Sequence, residues 1–204
     1  MKKNKTIWLF GILVFVIPIT AFSLLNIYKG KFTRLPILSK ENSSLHFTLL
    51  NQDEKLITAD SWKGKIVIAD FFFTHCPTIC PQMTNSLKKV QQAYAGNDGV
   101  LLNSFTVDPE RDSSAQLKKY ASQFKIDNNN WQLLTGAKKE IYMLARNSFS
   151  VVATDGDGGP GDFIHSDKLV LIDTQKRIRG YYDGTSSKEV NQLIIDIKKL
   201  QHEK

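Results

Sequence analysis

Hydrophobic and polar positions change period several times along the chain. From Thr6 to Tyr28 no charged residue interrupts 23 positions dense in Ile, Leu, Val and Phe. About 20 apolar residues cross a bilayer core, so this run predicts one transmembrane helix. Trp8 and Tyr28 stand near its ends, where aromatic side chains favour the interface. A cleaved signal peptide is the competing reading, but the run is longer than a signal core and no A-x-A cleavage pattern follows it. Lys2, Lys3 and Lys5 precede the run and favour an N-inside orientation. Residues 29–44 hold Pro36, several Ser and Lys and no sustained period, and read as a tether between a membrane anchor over 1–28 and a domain over 45–204.

Beyond the tether, strand and helix patterns alternate. Leu45–Leu50 and Lys55–Thr58 flank Asn51-Gln52-Asp53-Glu54 and predict a hairpin. Lys65–Phe73 (KIVIADFFF) is a near-continuous apolar run, as in a strand buried on both faces. Pro81–Tyr94 carries Met83, Leu87, Val90 and Tyr94 at helical spacing. Val100–Val107 predicts a strand, Ser113–Phe124 a helix with Ser113 as N-cap, Trp131–Leu134 a strand and Lys138–Arg146 a helix. Ser148–Thr154 reads as a further strand before the loop Asp155–Asp162. Lys168–Asp173 and Ile178–Tyr182 predict a second hairpin, and Ser186 to about Leu200 a closing amphipathic helix. This order suits an α/β fold: a thioredoxin-like three-layer sandwich with an added N-terminal β-hairpin.

The 204 residues are 42% hydrophobic, enough for one core of ordinary size. The net charge of +7 owes three charges to the lysines ahead of the apolar run, and no arginine-rich stripe follows. Nucleic-acid binding is therefore not expected. Two cysteines cannot supply the four thiolates of a structural zinc ribbon.

Chemistry concentrates where KIVIADFFF gives way to Thr74-His75-Cys76-Pro77-Thr78-Ile79-Cys80-Pro81. Ligand sites of open α/β sheets lie beyond the carboxyl ends of strands. The residue before a proline avoids the α region, so the helix is expected to start at Pro81, with Cys76–Cys80 as an irregular turn. Thiols there feel the positive helix end and are poised to bind a soft metal or attack a disulfide. C-x-x-x-C spacing leans toward two thiolates sharing a metal, though an irregular turn could still close into a disulfide. Soft thiolates with an imidazole suit copper. His165, after the Gly-rich loop, is a candidate third ligand. His75 adjoins Cys76 and is expected to point elsewhere, His46 and His202 to lie on the surface, and Met83 to pack in the core. Asp155, Asp157 and Asp162 lack the ligand pattern of an EF-hand loop.

Three segments, FFFTHCPTICPQM (Phe71–Met83), FTVDPERDS (Phe105–Ser113) and HSDKLVLID (His165–Asp173), resemble the SCO/SenC family, from about residue 45 to the C-terminus. The resemblance implies a membrane-tethered copper metallochaperone with Cys76, Cys80 and His165 as ligands, Cu(I) or Cu(II) as cargo, and the copper A-bearing subunit of cytochrome c oxidase as acceptor. It also implies a single-pass place in the cytoplasmic membrane, with the domain on the periplasmic side. The alternative is a thiol–disulfide oxidoreductase in which Cys76 and Cys80 are the redox pair and a thiol reductant protein is a second partner. Asp108 and Arg111 match the family's VDPxRD loop, as interaction residues or as an internal salt-bridged turn. Ile164 stands before His165 where many relatives have an acidic residue, and Asp162 lies three residues back.

Overall fold

The computed structural model describes residues 12–32, 34–39, 45–151 and 166–203. The chain divides into two compact units, one up to Arg34 and one from Leu35 to His202. In the first, a π-helical turn over Ile12–Val16 leads into helix α1, Ile17–Phe32. The hydroxyl of Thr20 donates within this segment, to the carbonyls of Val16 and Ile17. Leu13, Phe15, Ile19, Phe22 and Leu24 are all exposed. Among the described residues no helix is long and apolar enough to cross a membrane. The 16 residues of α1 reach about 24 Å at about 1.5 Å each, against a bilayer core of about 30 Å. Residues 6–11 of the expected span lie outside the described residues.

The second unit is built on one seven-stranded sheet ordered β2-β1-β5-β4-β3-β6-β7. The strands are β1 Thr48–Asn51, β2 Leu56–Thr58, β3 Ile66–Phe72, β4 Val100–Thr106, β5 Trp131–Thr135, β6 Lys168–Ile172 and β7 Ile178–Asp183. Central β3, β4 and β5 are parallel, while the two flanking hairpins join antiparallel. Successive side chains of β3 enter opposite faces. Ile66, Ile68 and Phe72 pack under α2 (Ile79–Ala93), α3 (Ser114–Phe124) and α5 (Ser187–His202). Val67, Ala69 and Phe71 face α4 (Lys138–Met143) and the 3₁₀ turn Ala59–Trp62. On that second face the ring of Phe105 meets those of Phe47, Trp62, Phe71 and Phe149.

Both hairpins turn on a side chain that mimics backbone. Asn51 Oδ1 accepts from the N–H groups of Asp53 and Lys55, and Asp173 Oδ1 from those of Gln175 and Arg177. Only two residue pairs join β1 to β5, but Gln52 continues the ladder by accepting from Leu133 N–H and donating to Trp131 O. Ser113 caps α3 as expected, its hydroxyl accepting from Gln116 N–H at 3.3 Å.

Two expectations need correction. The first helix of this unit starts at Ile79, so Cys80 and Pro81 lie in its first turn; a proline is tolerated there because its missing N–H would have had no intrahelical partner. The segment expected as a strand from Ser148 is not extended: α4 passes into a π-helical turn, Leu144–Ser148, and Val151 N–H donates to Ala145 O. Phe149, just past this turn, is buried on the second face of the sheet. Residues 152–154 lie outside the described residues.

Residues 35–38 are fastened to β7. Buried Arg179 donates to the carbonyls of Leu35 and Pro36, and Leu38 N–H donates to Ile178 O at 2.8 Å. The same guanidinium meets Asp173 at 3.0 Å, beside Arg177. Burial alone would raise the Asp173 carboxyl, but the hydrogen bonds from Arg177 and Arg179 outweigh it and hold it low. Breaking a buried pair leaves an uncompensated charge. Arg179→Met should lower the unfolding free energy by about 3 kcal/mol in urea titration, and the amide of Leu38 should lose its exchange protection.

Candidate functional site

Strands β3 and β4 run in register to adjacent ends, Phe72 beside Thr106. Beyond them the chain is held by Asp112, whose side chain is wholly buried. Its Oδ2 accepts from Thr74 N–H at 3.0 Å and from the Thr106 hydroxyl at 2.5 Å, and its Oδ1 accepts from the Thr74 hydroxyl at 2.5 Å. Asp112 is itself fixed by its N–H donating to Asp108 O at 2.9 Å, and Asp108 N–H donates to Thr106 Oγ1 at 3.1 Å. The VDPERD loop is thus folded around the start of the cysteine turn. Arg111 and Asp108 form an exposed ion pair at 3.8 Å, as the salt-bridged reading expects; such a pair contributes little to stability.

From Thr74 the chain tightens, Cys76 N–H donating to Phe73 O. Both cysteines are buried and neither is in a disulfide. Thr78, at the N-cap of α2, makes no side-chain cap bond. Cys76 Sγ takes that role, accepting from Cys80 N–H at 3.4 Å. The sulfur thereby sits on a donor that the helix start leaves without a partner, at its positive end. Burial pushes the Cys76 thiol up, but hydrogen bonds from Cys80 and Thr78 outweigh it and bring it below an ordinary cysteine. Burial raises Cys80 strongly, and its bond to Cys76 and the negative charges of Cys76 and Asp70 raise it further. The two thiols are thus unequal: Cys76 ionises more readily than an ordinary cysteine and Cys80 less readily.

Asp70 stands on β3 on the face that packs under α2. Its carboxyl bonds to Ser104, its partner across β4, while Oδ1 has no hydrogen-bond partner. Ser104 Oγ in turn accepts from the indole N–H of Trp131 at 2.9 Å. Burial raises the Asp70 pKa to about 7, against a small opposing effect of Ser104. Neither Asp70 nor Asp112 was singled out from sequence. A lone acid inside KIVIADFFF was the available signal for Asp70, since an unpaired buried carboxylate is costly.

The other expected residues fall as follows. His46 and His202 are exposed, and Met83 is wholly buried in the core under β3. His75 Nδ1 lies 3.1 Å from Thr74 Oγ1. His165, Ile164, Asp155, Asp157 and Asp162 lie outside the described residues. Among the described residues no three His, Cys, Asp or Glu side chains converge as a metal site. Strand β6 runs antiparallel to β3, Val170 opposite Ala69 and Ile172 opposite Val67. Its first residues thus lie toward the end of β3 that leads into the cysteine turn.

The model of the SCO1/SenC family matches residues 37–202. The chain belongs to that family. It is 36% identical over 154 residues to the SCO1 protein homolog of Bacillus subtilis, across 74% of this chain and 79% of that protein. The solved structure of BsSco, a member of the Sco family of cytochrome c oxidase assembly proteins in which a disulfide switch was identified, superposes with a TM-score of 0.71 at 34% identity, covering 84% of this chain and 100% of that one. Bradyrhizobium japonicum ScoI, solved with copper bound, gives 0.62 at 28% identity, covering 77% and 99%. The expected thioredoxin-like α/β fold of the SCO1/SenC family is thus borne out.

Two measurements check the site. With limiting iodoacetamide at pH 7.5, Cys76 should be alkylated at least about tenfold faster than Cys80, because the thiolate is the nucleophile; peptide mapping reads the ratio. The second concerns Asp70. The unfolded chain releases this proton near about pH 4, whereas the folded protein holds it to about 7. Between those values the native state binds more protons, so stability falls as pH rises. Urea unfolding should show a loss on the order of 4 kcal/mol between pH 4 and 8 that is missing in Asp70→Asn.

Proposed function

We propose that this chain is a copper metallochaperone: it binds one copper ion through Cys76, Cys80 and His165 and passes it to the copper A-bearing subunit of cytochrome c oxidase. The observation that carries the reading is the buried, unbridged C-x-x-x-C pair at the start of α2, with the Cys76 thiol brought below an ordinary cysteine by the hydrogen bonds it accepts. Two soft sulfurs and one imidazole match copper better than they match the hard cations. The copper held by ScoI, a relative of the same fold, supports the same cargo. Acceptor thiolates displace the donor ligands one at a time, and Cys76, whose thiol ionises more readily than that of Cys80, is the sulfur that exchanges first.

The thiol asymmetry also favours a second reading, a thiol–disulfide oxidoreductase, and the disulfide switch of BsSco points the same way. Here Cys76 thiolate attacks an acceptor disulfide, one acceptor thiolate leaves, and Cys80, on losing its proton, attacks Cys76 Sγ and releases the second. The acceptor gains two electrons, and the Cys76–Cys80 disulfide formed must be reduced by a thiol reductant protein.

The uncharged run from Thr6 to Tyr28 and the exposed apolar side chains of α1 support an N-terminal anchor over residues 1–28 in the cytoplasmic membrane. The stretch between this anchor and Leu35–Leu38, which is fastened to β7, then serves as tether, and the domain faces the periplasm.

Metal analysis of the full chain tests the reading. The reduced protein should bind one copper, the Cys76→Ser, Cys80→Ser double variant none, and His165→Ala should bind more weakly. Affinity should fall as pH drops, because both thiols must lose protons. Copper-loaded chain should metallate an apo-acceptor whose thiols are already reduced; failure there would favour the oxidoreductase.

A further inference from the structure

The inference rests on the copper reading of the cysteine pair and adds a ligand to it. Cys76 is 8% exposed and Cys80 3%, so an ion arriving from solvent or from a partner meets little sulfur at the surface. Beside Cys76 stands an imidazole whose side chain is 56% exposed. Its chemistry is decided two bonds further in. The Thr74 hydroxyl has one proton and two lone pairs. Asp112 Oδ1, 2.5 Å away, can only accept, so that proton is committed to the carboxylate. Thr74 Oγ1 must then accept from its other neighbours, which are Gln116 Nε2 at 3.2 Å and His75 Nδ1 at 3.1 Å. Neutral His75 therefore carries its proton on Nδ1, and the lone pair of Nε2 is left free. A carboxylate, a hydroxyl and an imidazole N–H in series are the arrangement that fixes the orientation and tautomer of a metal-ligating histidine.

We propose that His75 Nε2 is a handover ligand for copper: it takes the ion at the surface and passes it to the sulfur of Cys76, and receives it again on release. Asp112 and Thr74 are its positioning residues. His75 is not one of the three ligands that hold the ion at equilibrium; it shortens the path between the outside and a buried pair. Imidazole is an acceptable ligand for copper without matching the softness of two thiolates, so the ion moves on from it.

Two measurements on the full chain, purified in detergent, decide the matter. In the metal-free protein, long-range proton–nitrogen correlation of the imidazole should show the Nδ1–H tautomer for His75; the Nε2–H tautomer would overturn the proposal. Rapid mixing with Cu(I) supplied as its acetonitrile complex, without oxygen, is followed by the near-ultraviolet thiolate-to-copper absorption. His75→Ala, a change at an exposed side chain, should slow uptake about tenfold, as a barrier raised by about 1.4 kcal/mol does, and still reach one copper per chain. Thr74→Val should lose the tautomer preference and slow uptake as well, whereas Thr74→Ser, which keeps the hydroxyl, should retain the original rate. An unchanged rate in His75→Ala would sink the idea, and so would a loss of bound copper at equilibrium, which would make His75 a permanent ligand. No uptake by the unaltered protein would overturn the copper reading itself, while leaving the tautomer result to stand alone.

Discussion

Strands β3 and β4 leave the sheet side by side, and the carboxylate of Asp112 collects the donors that the two exits would otherwise strand. Three donors end on two buried oxygens, and each would cost about 1–3 kcal/mol if left unpaired in the interior. The turn that begins at Thr74 therefore has one place to start. From that fixed start the chain is short enough that Cys76 falls at the head of α2, where its sulfur receives the Cys80 N–H. The placement of the cysteine turn thus rests on the carboxylate of Asp112.

Asp70 and Asp112 show how one side chain acquires opposite roles from its surroundings. Asp112 is surrounded by donors and serves as a bracket. Asp70 has one donor, Ser104, on one oxygen and none on the other, and burial dominates its behaviour. It lies behind the cysteine that already resists ionisation and adds to that resistance. The pair of thiols is unequal for a related reason: hydrogen bonds outweigh burial at Cys76, and burial outweighs them at Cys80.

Much of this was legible in the chain. The unbroken apolar run at β3 announced a central strand, and the turn-like Asn51-Gln52-Asp53-Glu54 announced the first hairpin. The positions of both cysteines, just past a buried strand, marked the site. What local pattern could not give was pairing across distance. Asp112 reads as one more acid in a polar loop until the fold sets it against Thr74, 38 residues away. The start of α2 was misplaced by two residues because the bias of Cys80 before a proline was weighed more heavily than the tolerance of a first turn for that proline. The π turn after α4, which takes up Ser148, has no counterpart in the local hydrophobic period.

The fastening of Leu35–Leu38 to β7 also has a mechanical meaning. Ile178 lies opposite Ile172, and Ile172 opposite Val67, near the beginning of β3. The cysteines follow the other end of that strand, a distance of about 20 Å at about 3.3 Å per residue. Tension arriving along the backbone from the N-terminal side is taken up by Arg179 and its carbonyl partners, at the pole remote from the thiols. A pull on the backbone ahead of Leu35 would be met at that pole, and the geometry around Cys76 would stay as the sheet sets it.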